Sequence, residues 1–95
     1  MNPIETEIVR KLVKAILDRD LTISVHDEEE YVLLNSKDPQ KVLEKTGHSE
    51  VTTFRLKNDI KHHVGTFILI HGNDEDLIHD CSDNTLCEEI FHELQ

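Results

Sequence analysis

The sequence predicts an α+β fold. It is an antiparallel sheet of four strands in two hairpins, five strands if residues 77–81 are extended, with helices packed mainly on one face. Three observations predict it. Stretches with apolar residues every three or four positions stand near both ends of the chain. Stretches that alternate every second residue lie between them in two pairs, and turn-forming residues separate the members of each pair. The resulting order is helix, hairpin, helix, hairpin, a fifth strand and a closing helix, in a single domain of residues 1–95.

The first helix begins with Asn2 as N-cap, Pro3 at the first helical position and Glu5 placed to reach back to the cap. Ile4, Ile8, Leu12, Ala15 and Ile16 recur at helical spacing, with Val9, Val13 and Leu17 widening the stripe, so one face is predicted to be buried. The opposite face mixes acids and bases, which suits a helix that covers a core better than one that lies on a membrane. Asp18, Arg19 and Asp20 end it. Residues 21–25 then alternate with Leu21, Ile23 and Val25 inward. Asp27, Glu28, Glu29 and Glu30 form a solvated turn without the glycine and oxygen spacing of a calcium loop, and Tyr31, Val32, Leu33 and Leu34 return as the second strand.

Ser36 or Asp38 caps a short helix with Pro39 in its first turn, Val42 and Leu43 as its apolar face and Gly47 as its stop. Residues 52–56 alternate again, with Phe54 and Leu56 on one side, and Lys57, Asn58 and Asp59 turn the chain. Residues 62–70 return as the most apolar strand of the protein, expected to be central. Its alternation puts Phe67 and Leu69 on one face and Ile68 and Ile70 on the other, so one helical layer leaves a second face to be covered by a loop or a second subunit. Residues 77–81 are predicted as a short edge strand. Thr85, Leu86, Cys87 and Glu88 read as a capping box, and Leu86, Ile90, Phe91 and Leu94 as the stripe of the last helix.

The formal net charge is −10, and its distribution is uneven. Residues 37–61 carry four acids against six bases, whereas residues 74–95 carry eight acids and no base. Such a surface repels phosphate backbones and attracts basic ones, so a basic protein is the expected partner and direct nucleic-acid binding is not expected. No stretch approaches the roughly 20 apolar residues that cross a bilayer, and the N-terminal residues lack the pattern of a secretory signal. A cytoplasmic protein without membrane association is the expectation.

Seven histidines and two cysteines raise the question of a metal. His62 and His63 are adjacent on a strand and point to opposite faces. His79 and Cys81 are two apart, on the same side of an extended segment, with Cys87 one helical turn into the next element. Those three, with His92, are the candidate ligands, although no Cys-x-x-Cys or His-x-x-x-His pattern is present. Cys81 as a nucleophile has His79 and a following helix N-terminus in its favour, with Asp80 and Asp83 against it. No glycine-rich phosphate loop or nucleophile elbow occurs, so neither a catalytic residue nor a cofactor is assigned.

Residues 21–30 leading into Tyr31, Val32 and Leu33, then Phe54-Arg55-Leu56, Val64-Gly65-Thr66, Gly72-Asn73 and residues 80–84 together resemble short proteins of phages, prophages and plasmids whose function is uncharacterised. The resemblance implies a small accessory protein that binds another protein, and brings no catalytic residue. The function expected is a non-enzymatic protein-interaction module, homodimeric, because the apolar strand needs cover on both faces and strand edges invite pairing. Its partner-facing surface is expected at Asp74, Glu75, Asp76, Asp80, Asp83 and Glu88, in the sharper form an acidic mimic of nucleic acid. The alternative is a metal- or small-ligand-binding protein built on His79, Cys81 and Cys87.

Overall fold

In the computed structural model, which describes all residues from Met1 to Gln95, three α-helices and five strands follow one another in the predicted order. Helix α1 spans Pro3–Leu17, strands β1 and β2 span Thr22–Asp27 and Glu30–Ser36, and α2 spans Pro39–Lys45. Strands β3 and β4 span Val51–Lys57 and His63–Ile70, a single 3-10 turn covers Asp74–Asp76, β5 covers Ile78–Cys81, and α3 covers Thr85–Glu93.

All neighbouring strands pair antiparallel in the order β2-β1-β3-β4-β5. The two predicted hairpins are joined through β1 and β3, whose register runs from Thr22 opposite Lys57 to Asp27 opposite Thr52. Helix α2 therefore carries the chain from β2 over β1 to β3 on the helical side. The middle strand is β3. The apolar strand β4 is interior but not central, because β5 alone pairs on its outer side.

One contiguous core of sixteen apolar side chains lies between the sheet and the helices. The sheet contributes Ile23, Val25, Phe54, Leu56, Phe67 and Leu69, all fully buried, and α1 contributes Val9, Leu12, Val13, Ala15 and Ile16. Ile4, expected on the stripe, is 45% exposed, and Glu5 occupies the buried position beside it. Burying about 100 Å² of aliphatic surface contributes about 2.5 kcal/mol, so this shared layer is what holds the marginal seven-residue α2 in place.

The helix starts are built by side chains. Asn2 Oδ1 accepts from the Glu5 amide at 2.8 Å, as predicted for α1, but the Glu5 carboxylate turns inward and does not reach back to the cap. Asp38 caps α2 through the amides of Gln40 and Lys41, while Ser36 Oγ accepts from the Asp38 amide. In α3 the cap is Asn84 and not Thr85: Asn84 Oδ1 accepts from the Cys87 amide at 2.8 Å, and its Nδ2 donates to the Val64 carbonyl at 3.1 Å. The second bond ties the start of α3 to β4, next to the bonds that Ser82 makes with Thr66. There Gly65 leaves room for Cys87, whose Sγ would clash with a β-carbon on residue 65.

The second face of β4 has no cover within the chain. Ile68 and Ile70 are half-buried among their strand neighbours and do not pack against the core.

Candidate functional site

The six acids expected to form a binding surface follow one edge of the molecule, the edge made by β5 and the elements at its two ends. Asp74, Glu75 and Asp76 sit in the 3-10 turn beyond β4, where Asp74 Oδ1 accepts from Asn2 Nδ2 at 2.7 Å. Glu75 stands on the helical side with Ile4, Glu7, Ile8, Lys11 and Leu94 around a shallow groove of about 270 Å³. Asp80 lies on β5 opposite Ile68, so it faces the open side of the sheet. Asp83 follows the strand, and Glu88 lies in the first turn of α3. The acids thus form a ridge that wraps the edge and do not share one flat face. Except for half-buried Asp74 they are exposed, and the one ion pair in residues 74–95 joins Glu93 to Arg19.

The metal-ligand reading requires His79, Cys81 and Cys87 to converge, and they do not. No group of three or more His, Cys, Asp or Glu side chains is arranged to hold one ion. The physical reason is a register shift between Asp80 and Ile78, which breaks the alternation that would have put His79 and Cys81 on one side. His79 is left exposed, while half-buried Cys81 packs toward the core and Cys87 is fully buried. Burial pushes the Cys81 thiol above its ordinary value, reinforced by Cys87, Asp80, Glu88 and Asp83. Burial also raises Cys87, against hydrogen bonds from the Thr66 and Ser82 region that pull the other way. The balance left open by the sequence at Cys81 thus tips toward the protonated thiol.

A cluster that the sequence reading missed lies at the other end of the core. Glu5 is 1% exposed, and its Oε2 accepts from the amides of Gly72 at 2.8 Å and Asp74 at 2.9 Å. Its Oε1 lies 3.5 Å from His71 Nδ1, which has no hydrogen-bond partner, while His71 Nε2 shares a hydrogen bond of 2.8 Å with Thr52 Oγ1. Burial alone would raise the Glu5 carboxyl, but the two amides and the imidazole outweigh it and hold the carboxyl below its usual value. Burial lowers His71, with Glu5 pulling against it. Hydroxyl, imidazole and carboxylate stand in the order of a nucleophilic triad, yet Thr52 is 1% exposed and none of the larger grooves reaches it. The cluster ties α1 to β3 and to the end of β4. Its signal in the sequence was Glu5 itself, an acid four residues before Val9 on an otherwise apolar stripe.

The largest concavity, about 470 Å³, runs between α1 and α2 over Val13, Leu17 and Leu43. Two of its lysines are already neutralised: Lys14 pairs with Asp18 at 2.7 Å and Lys37 with Asp20 at 2.9 Å. No helix is long and apolar enough to cross a membrane. No protein-family model, curated protein or solved structure matches this chain.

Proposed function

We propose that this chain is a non-enzymatic protein-interaction module whose acidic β5 edge docks onto a basic surface of a partner protein, standing in for nucleic acid in a basic groove. The supporting observation is the ridge itself: eight acids and no base in residues 74–95, with a single cation, Arg19, paired to any of them. Carboxylates left unpaired along an exposed edge offer a polycationic surface favourable long-range attraction, which speeds encounter more than it adds final affinity. In this reading the protein acts in the cytoplasm as an accessory factor of a mobile element, directed at a nucleic-acid-binding protein.

The test is an affinity pull-down from lysate of the source organism at low and high salt, beside a variant carrying Glu75→Gln, Asp76→Asn, Asp83→Asn and Glu88→Gln. Asp74 stays intact because it holds Asn2. A basic partner captured at low salt, released at high salt, lost with the variant and displaced by nucleic acid is the expected result. A partner that the variant retains would overturn the reading.

A further inference from the structure

Of the ten lysines and arginines, three are half-buried: Arg19, Arg55 and Lys57. Arg19 is matched, since its guanidinium donates to the Ala15 carbonyl and pairs with Glu93. Arg55 and Lys57 are not. The hydrogen bonds donated by lysine and arginine side chains come from Lys14, Arg19 and Lys37, and none of the four ion pairs includes either residue. An exposed cation keeps its water, whereas one partly withdrawn from water gives up hydration and here gains no acceptor in return. Twenty acids are available in the chain, and none reaches these two bases.

Both bases line a pocket of about 320 Å³ on the open face of the sheet, the side without helices. Phe54 and Leu56 are fully buried on the helical side, so Arg55 and Lys57 alternate outward from β3, about 7 Å apart along the strand. Opposite Arg55 on β1 stands Ser24, the floor. It is 2% exposed although no helix covers it, and its hydroxyl accepts from the Asn35 amide at 2.9 Å. Across the floor Tyr31 and Leu34 of β2, 44% and 64% exposed, make an apolar wall. The Tyr31 ring is set edge-on against His26, with centroids 4.9 Å apart. One wall is therefore cationic and the other flat and apolar, and no carboxylate lines the pocket.

We propose that this pocket binds a small aromatic anion, its ring against Tyr31 and Leu34 and its carboxylate or phosphate held by Arg55 and Lys57. A guanidinium fork grips two oxygens of such a group, and an ammonium adds a point charge. The volume lies at the low end of small-molecule sites, which suits one ring carrying one anionic group. A strand of nucleic acid laid across the face would run toward the acids of the 74–88 ridge and of the 27–30 turn, whereas a ligand confined to the pocket meets none. The pocket stands on β2, β1 and β3, and the acidic ridge follows β5 at the opposite edge. This proposal and the proposed function can therefore fail separately.

Tyr31 is the only tyrosine and the chain has no tryptophan, so the Tyr31 ring protons report on the pocket directly in NMR spectra. The experiment titrates phenyl phosphate, benzoate, inorganic phosphate and benzyl alcohol into the full chain. Phenyl phosphate or benzoate is expected to shift the Tyr31 resonances saturably with a Kd of about 1 mM or tighter, and the tighter of the two tells a phosphate from a carboxylate ligand. Inorganic phosphate lacks the ring and benzyl alcohol the charge, so each is expected to bind at least about tenfold more weakly. A variant carrying Arg55→Gln and Lys57→Gln is expected to lose at least about tenfold in affinity for the aromatic anion, while Lys61→Gln, in the turn beyond β3, leaves it unchanged. Circular dichroism confirms folding, and Lys57→Gln alone, at the last residue of β3, keeps the test if the double variant does not fold. No saturable shift with either aromatic anion, an equal response to benzyl alcohol or inorganic phosphate, or binding that survives the loss of both cations overturns the proposal.

Discussion

The two faces of the sheet are made by the same strands from alternate residues, and they have different fates. On the helical side Ile23, Val25, Phe54, Leu56, Phe67 and Leu69 are fully buried in one packed layer. On the other side Thr53, Arg55, Thr66, Ile68 and Ile70 are only partly covered, by one another. The residue types overlap, since isoleucine and threonine occur on both, so strand preference alone does not separate the faces. What separates them is a partner layer. Where three helices dock, burial is complete and each side chain is constrained by its neighbours; where none docks, polar and apolar positions mix.

The sharpest way to break this comparison is to truncate one side chain on each face. Phe54→Ala should cost about 3–5 kcal/mol, because it removes a fully buried ring and leaves a cavity in the core. Ile68→Ala should cost about 1 kcal/mol or less at concentrations where the chain is monomeric. Urea denaturation of both variants checks the pair, and equal losses would mean that the open face is packed after all.

A smaller effect is expected where β4 meets α3. Gly65→Ala places a methyl group on Cys87 Sγ and should cost about 1–3 kcal/mol. In a Cys87→Ala background most of that penalty should vanish, and a double-mutant cycle by urea denaturation measures the coupling.

The smallest effect concerns the margin of the covered layer. Folded His71 and Glu5 both bind protons less readily than their usual values of 6.5 and 4.5 imply. The stabilisation from His71 is therefore present above pH 6.5 and lost as the pH falls below it, and that from Glu5 is present above pH 4.5 and lost as the pH falls further. The stability difference between the unaltered chain and Glu5→Gln should accordingly shrink below pH 4.5. Urea midpoints measured at several pH values will show whether it does.

Much of the covered face was legible in the residues. Leu21, Ile23 and Val25, and Phe54 and Leu56, were expected inward by alternation and are buried. The weakly patterned segment at 77–81 does form a strand, shorter by one residue because Leu77 leaves the strand to enter the core. The helix caps were legible by position but not by partner. Both Asn84 and Thr85 can cap a helix, and it is Asn84 that accepts from the Cys87 amide while also reaching the Val64 carbonyl. Glu5 was read as a local capping group because local pattern has no access to the Gly72 and Asp74 amides, 67 and 69 residues away. The candidate site was legible as a composition, eight acids without a base, and not as a shape.

By itself the sequence determined the element types, their order, the inward residues of the strands and the charge of each third of the chain. All of these depend on a side chain's own chemistry and on period two or period 3.6 along the backbone. Tertiary structure alone decided the strand order, which joins the hairpins through β1 and β3. It also decided that His79, Cys81 and Cys87 do not converge on one point, and that Glu5 is buried beside His71. The physical reason is that each of these is set by which distant backbone groups and side chains come within a few ångströms, and a bulge of one residue is enough to reverse the side on which a residue stands.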